Sequence, residues 1–186
     1  MILPKLISLH VALPVSGVLL NILLRKFNRT TAAITLSSLL LLFCLSVAAF
    51  IFTSMTKEFS YVFGGWNVPF GIEFRINIWD CVFLILISFS ALCTFFFGYR
   101  ELRHNMEEAR VPLFCAIFLL CVFGLYGVVL TNDFFNLYVF LEIHSLTTYA
   151  LVSWNTRDKS SLLTAFYYLI VGTIAALFLL LGIGYL

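Results

Sequence analysis

The sequence predicts an all-α integral membrane protein with about six transmembrane helices and with both termini external. The first observation is composition: 62% of the 186 residues are hydrophobic and 11% are charged, whereas soluble domains carry about 25% charged residues. The second is that the apolar residues form six long runs, each suited to a hydrocarbon core about 30 Å thick. The third is that basic residues cluster in alternate connecting segments, as they do in cytoplasmic loops. We therefore expect residues 1–186 to form a single helical membrane domain.

The expected spans are residues 3–24, 31–53, 77–99, 111–130, 134–154 and 161–186. In this arrangement eight of the eleven basic residues fall in cytoplasmic segments: Arg25, Lys26, Arg29, Arg100, Arg103, Arg110, Arg157 and Lys159. The other three lie at or beyond the outer ends: Lys5, Lys57 and Arg75. Because positive charge favours the cytoplasmic side, this distribution sets the orientation of a multi-pass protein of the cell (inner) membrane.

A basic cluster follows the first span directly. A cleaved signal peptide carries its positive charge before the apolar core, with a small-residue cleavage site after it. The opposite order here predicts a retained helix. Three residues within this span are expected to be structural: Lys5, His10 and Pro14. Lysine near the outer end can reach the surface with its long side chain, and proline can kink a spanning helix without breaking it.

The segment between the second and third spans predicts an ordered external loop. It contains turn-forming residues around an aromatic one: Gly64, Gly65, Trp66, Pro69 and Gly71. The third span begins just after this loop, with Asp80 about one turn from its outer end. We favour a role for Asp80 in capping the helix or ordering the loop, and entry of ions is the alternative.

Short polar segments separate the remaining spans. Residues 100–110 mix three arginines with three glutamates and predict a short internal loop, and residues 155–160 predict another. Residues 131–133 form a turn so short that the fourth and fifth spans must be antiparallel neighbours. In the last span, small and polar residues recur every four positions: Thr164, Tyr168, Gly172 and Ala176. Such a stripe lets another helix approach closely, and part of it, Gly172 to Ala176, is a candidate contact for a helix supplied by another chain.

Several functional classes find no support in the sequence. The five cysteines lie in apolar segments without a C-x-x-C pair, which indicates small buried side chains rather than disulfides or a metal site: Cys44, Cys81, Cys93, Cys115 and Cys121. No phosphate-binding glycine loop, nucleophile elbow or metal-ligand cluster is present in the sequence. We therefore expect neither an enzyme nor a cofactor, and a net charge of +2 gives no indication of nucleic-acid binding.

Glu142, near the middle of the fifth span, is the main candidate functional residue. A carboxylate at the bilayer midplane costs roughly 2.5–3.5 kcal/mol on insertion scales, so it is expected to have a use or a buried partner. Three polar residues share its helical face at spacings of four and three: Tyr138, Ser145 and Tyr149. This polar seam predicts a proton or ion pathway. The alternative is that Glu142 only forms a hydrogen bond to a neighbouring helix and orders the bundle.

His144 lies on another face, because two residues correspond to about 200° of helical rotation. It shares that face with Thr147 and Thr148. Its two ring nitrogens suit a proton relay, but a lone histidine can equally be a packing residue. The sequence leaves both interpretations open.

Two stretches carry a resemblance to a known family. The segment GGWNVPFGIEFRIN at residues 64–77, followed by Asp80, and the segment LTNDFFNLYVFLE at residues 130–142 resemble the MrpD membrane component of the Mrp-type multisubunit sodium/proton antiporters. The chain is more distantly similar to the antiporter-like membrane subunits of respiratory complex I and of membrane-bound hydrogenases. The resemblance covers the whole chain.

The resemblance implies a proton half-channel built around a glutamate on the fifth helix, which Glu142 matches, and a lysine on the seventh. The lysines of this sequence lie near membrane edges: Lys5, Lys26, Lys57 and Lys159. His144 stands where the family would carry an apolar residue, and the sequence ends where a seventh helix would begin. The sequence thus resembles the N-terminal portion of an antiporter subunit.

These observations lead to one leading expectation and one alternative. The first is a membrane subunit of a monovalent cation/proton antiporter, with protons and sodium as the candidate ions. Its partners would be other membrane subunits of an antiporter or complex I-like assembly, one of which supplies the lysine. The alternative is a structural membrane subunit, or a truncated antiporter fragment, that transports nothing.

Overall fold

A computed structural model of the chain describes residues 3–56, 58–62, 72–105, 110–154 and 159–185. These residues form six helices and one antiparallel β-hairpin. In chain order the elements are α1 (Leu3–Leu23), α2 (Asn28–Thr56), β1 (Phe59–Val62), β2 (Glu73–Ile76), α3 (Ile78–Asn105), α4 (Val111–Leu130), α5 (Phe134–Val152) and α6 (Lys159–Gly184).

Five of the six helices are long and apolar enough to cross a membrane: α1, α2, α3, α4 and α6. The protein is therefore a multi-pass membrane protein of the all-α class, as the sequence predicts. Helix α5 has 19 residues, or about 28 Å at 1.5 Å per residue, and its polar side chains reduce its hydropathy. It packs between α4 and α6. That α5 spans the membrane, and that both termini are external, remain predictions.

Two helices run further than the sequence suggests. Helix α3 continues to Asn105 instead of ending at Tyr99, because arginine, glutamate and leucine are all good helix formers and the sequence offers no proline before Pro112. The polar run expected to be a loop is thus helical up to Asn105. Helix α2 begins at Asn28 and ends at Thr56, beyond the expected 31–53.

The core lies among α1, α2, α3 and α4. Tyr126 of α4 is fully buried, and its hydroxyl lies 3.0 Å from the Ser46 hydroxyl of α2 and donates to the Leu84 carbonyl of α3 at 3.3 Å. The ring of His10 stacks on the Tyr126 ring at a centroid distance of 5.8 Å, and its Nδ1 lies 2.8 Å from the Leu6 carbonyl oxygen. These contacts favour the structural role expected for His10.

The predicted external loop contains the β-hairpin, in which Phe59 of β1 pairs with Ile76 of β2. Sequence reasoning did not foresee these strands, because each has only four residues. The Arg75 guanidinium forms an ion pair with the Glu58 carboxylate on the exposed side. The glycine-rich part of the loop, from Gly64 to Gly71, lies outside the described residues, as do the side chains of Lys5 and Lys57.

Helix α6 packs against α5 and leaves most of its other side chains exposed. Gly172 faces α5: a β-carbon built there would overlap the hydroxyl of Tyr149. Gly172 is therefore wrong as a candidate contact for a helix of another chain, because Tyr149 of its own chain already fills that space. Thr164 and Tyr168 of the same stripe are exposed.

Candidate functional site

The start of α5 is fixed by a short turn and a cap. Asp133 is extended (φ −124°) at the N-cap position, and its Oδ1 accepts a hydrogen bond from the Phe135 backbone N–H at 3.1 Å. The Leu137 N–H donates to the Asp133 carbonyl at 2.9 Å. An aspartate cap both satisfies a free helix N–H group and matches the positive end of the helix dipole. This cap places Glu142 near the middle of the helix.

Glu142 is half-buried, and so are its three seam neighbours, Tyr138, Ser145 and Tyr149. The Ser145 hydroxyl donates to the Leu141 carbonyl at 2.8 Å, so its proton is already used within the helix. Among the residues that the structure describes, none forms a hydrogen bond or an ion pair with the Glu142 carboxylate. Within the part of the chain that the structure describes, the carboxylate is therefore unpaired.

A groove of about 560 Å³ separates part of α5 from α6. It is lined by Leu146, Tyr149, Ala150 and Ser153 of α5 and by Leu162, Leu163, Ala165, Phe166 and Leu169 of α6. Leu146 lies four residues after Glu142, so the groove begins about one helical turn from the carboxylate. The lining is mostly apolar, and Tyr149 is the one seam residue that it includes.

His144 faces α4 and is not brought to Glu142. Its Nδ1 lies 3.4 Å from the Cys121 Sγ and 3.2 Å from the Cys121 carbonyl oxygen. The Thr148 hydroxyl donates to the His144 carbonyl at 2.8 Å and lies 3.5 Å from the same Sγ. Sequence reasoning placed His144 on this face but missed Cys121, since nothing in the sequence pairs residues 23 positions apart on two apolar helices. A part in the proton pathway remains a prediction for His144.

Asp80 takes part in a reciprocal helix cap. Its Oδ2 accepts a hydrogen bond from the Asn77 backbone N–H at 2.8 Å, while the Asn77 Oδ1 accepts from the N–H groups of Trp79 (2.8 Å) and Asp80 (3.1 Å). This is the geometry of a capping box. The cap-like arrangement is the one favoured from the sequence, and ion entry at Asp80 remains an untested alternative.

In the described part of the chain, no three histidine, cysteine, aspartate or glutamate side chains meet as a metal site would require.

Comparison with known proteins places these helices in a family. Residues 131–186, which begin just before the cap of α5 and include α6, match the family model described as "NADH:quinone oxidoreductase/Mrp antiporter, TM". NADH-quinone oxidoreductase subunit N of Desulforudis audaxviator is 42% identical over 132 residues, which are 70% of this chain and 25% of the relative. The putative antiporter subunit mnhD2 of Staphylococcus epidermidis is 31% identical over 182 residues, which are 98% of this chain and 36% of the relative. The chain thus spans between a quarter and about a third of these relatives.

Two solved structures share the fold. The membrane-bound sulfane sulfur reductase, an archaeal respiratory membrane complex, matches 95% of this chain and 36% of the compared chain, with a TM-score of 0.87 and 25% identity. The Mrp complex from Dietzia sp. DQ12-45-1b matches 98% of this chain and 34% of its own, with a TM-score of 0.80 and 21% identity. The chain belongs to the family of antiporter-like membrane subunits shared by NADH:quinone oxidoreductases and Mrp antiporters.

Proposed function

We propose that the chain acts as a membrane subunit of a multisubunit monovalent cation/proton antiporter, with Glu142 as its intramembrane proton site. One observation carries this proposal: a half-buried carboxylate lies near the middle of α5 with no hydrogen-bond or ion-pair partner among the described residues. A glutamate that only ordered the bundle would be expected to hydrogen-bond a neighbouring helix. The free carboxylate therefore favours a proton site over the packing role.

The chemistry of such a site follows from desolvation and charge. In apolar surroundings a carboxyl group without a cationic neighbour prefers to be protonated, whereas an approaching cation stabilises the ionised form. A cation, either a lysine of another segment or a transported ion, can thus expel the proton from Glu142, and its departure lets the proton return. The groove beside α6, one turn away, offers room for such an approach.

The partner of Glu142 is expected to lie outside the described helices. Described basic side chains in the polar segments, such as Arg25 and Lys26, lie at helix ends and form no ion pair with Glu142. We expect the cation that pairs with Glu142 to come from another helix or subunit, in keeping with relatives that are named as subunits. These 186 residues reconstituted alone in liposomes are expected to show no saturable ion exchange.

The test is exchange by the assembled complex, purified through a tag on this chain and reconstituted in vesicles with an imposed pH gradient. Glu142→Gln keeps the shape of the side chain but cannot carry the proton, so cation-driven proton movement is expected to fall to background. Ser145→Ala and Tyr138→Phe, on the same seam, are the matched controls and should retain most activity.

Assembly is measured in parallel from the subunits that co-purify. Normal flux from an assembled Glu142→Gln complex would overturn the proposed proton site. Loss of the co-purifying subunits in that variant, with Ser145→Ala unaffected, would instead support the structural alternative.

A further inference from the structure

The β-hairpin is joined directly to the turn that starts α5. Phe74 of β2 forms an antiparallel bridge with Thr131. The next residue, Asn132, donates its backbone N–H to the Glu73 carbonyl at 3.0 Å and its side-chain Nδ2 to the Glu73 Oε2 at 2.9 Å. One residue of the hairpin thus accepts from both the backbone and the side chain of Asn132. We call this set of contacts between Glu73 and Phe74 on one side and Thr131 and Asn132 on the other the clasp.

The aromatic side of the clasp continues into α5. Phe74 is 3% exposed, and its ring lies 5.9 Å, centroid to centroid, from the ring of Phe140 on α5. Phe140 also packs edge-on against Phe123 of α4 at 5.5 Å, and its ring lies where a side chain at Gly127 would otherwise be. Aromatic pairs of this kind stabilise the contact beyond the effect of their buried area alone.

The clasp and the Phe74–Phe140 contact therefore fix the position of α5 along its axis and its rotation about that axis. The hydrogen bonds hold the residue just before the Asp133 cap, which sets where the helix begins. Phe140 holds its face against α4, and Glu142, two residues further along, is rotated by about 200° to the opposite face. If α5 turned or slid, the carboxylate would leave the face of α5 that lies opposite the contact of Phe140 with α4.

We propose that Glu73 and Phe74 are positioning residues, which hold α5 in the register that directs Glu142 away from α4. The effect on proton exchange rests on the proposed function of Glu142, whereas the effect on helix register does not. Glu73 acts through Asn132 and Phe74 acts through Phe140.

Amide hydrogen exchange along α5 tests the register directly, without any transport measurement. In the assembled complex, Glu73→Ala and Asn132→Ala each remove the side-chain hydrogen bond, and exchange in the first half of α5 should quicken roughly fivefold, the change in an opening equilibrium expected from one such bond. Glu73→Gln keeps an acceptor for Asn132 and should stay close to wild type. Glu58→Gln breaks the exposed ion pair with Arg75 on the same hairpin and is the matched control.

The second measurement is the pH profile of cation-driven exchange in the same variants. We expect a shifted profile for Glu73→Ala, rescue by Glu73→Gln and no shift for Glu58→Gln. Unchanged hydrogen exchange in Glu73→Ala and Asn132→Ala would overturn the clasp. Faster hydrogen exchange with an unmoved pH profile would overturn the effect of the clasp on proton exchange. If the Glu142→Gln complex showed normal flux while hydrogen exchange in α5 still quickened in Glu73→Ala, the proton site would be refuted and the register claim would stand.

Discussion

The hydroxyl of Tyr149 on α5 occupies the place that a β-carbon would take at Gly172 on α6. Tyr149 also lines the groove beside the Glu142 seam, so the contact ties α6, which packs mainly against α5, to the candidate proton site. Because protein interiors tolerate little overlap, the contact fixes how closely α6 can approach.

Gly172→Ala should therefore destabilise the α5–α6 pair. Overpacking costs about 1–3 kcal/mol, and the better helix propensity of alanine offsets part of that cost. The melting temperature of the purified protein in detergent measures the effect. Gly182→Ala is the matched control, since nothing lies within 4 Å of a β-carbon there, and it should be neutral or slightly stabilising. Adding Tyr149→Phe to Gly172→Ala removes the overlapping hydroxyl and should restore part of the loss. Equal melting temperatures for the two glycine variants would contradict this packing.

Tyr126→Phe tests the buried centre of the first four helices. It removes the hydroxyl that joins Ser46 of α2 and Leu84 of α3 but keeps the ring on which His10 stacks. The expected cost is about 1 kcal/mol for the lost hydrogen bonding, read as a lower melting temperature. Tyr185→Phe, at a residue 86% exposed, should have no effect, and a Tyr126→Phe protein as stable as wild type would show that these bonds contribute nothing.

The clasp should weaken in acid. The hydrogen bond from Asn132 holds the pKa of Glu73 below its ordinary value, with smaller contributions from Ser60 and Arg75. A carboxyl whose pKa is lowered by folding stabilises the protein above the unfolded pKa of about 4.3, and this stabilisation is lost as the pH falls through the lower folded value. Asn132→Ala should thus melt below wild type at pH 7, and the difference should shrink below about pH 4. A difference that is constant across this range would argue against an ionised Glu73 in the clasp.

Orientation is tested by labelling single cysteines in intact cells. Thr30→Cys lies a few residues after Arg25 and Lys26 and should react with an impermeant reagent only after permeabilisation, because basic segments stay in the cytoplasm. Ser60→Cys on the hairpin is exposed and should react from outside. The reverse pattern would invert the topology.

The sequence was sufficient to predict features that depend on a single helix. Hydropathy located the apolar helices, the period of about 3.6 residues put Glu142 and His144 on different faces, and the position of Asp80 suggested its cap. The sequence did not predict contacts between distant segments, such as the hydrogen bond from Asn132 to Glu73, which joins residues 59 positions apart. The partner of Gly172 was predicted wrongly for the same reason, since a small residue indicates that a helix approaches closely but does not indicate which helix.

The central claim, that Glu142 carries the transported proton, is tested most directly by infrared difference spectroscopy of the assembled complex. Sodium and, separately, potassium are added at fixed pH, and the carbonyl stretch of a protonated carboxyl group is followed. We predict that the transported cation removes this band in the wild type and in Ser145→Ala, and that Glu142→Gln has no such band to lose. A cation-sensitive carboxyl band of full size in an assembled Glu142→Gln complex would contradict the claim.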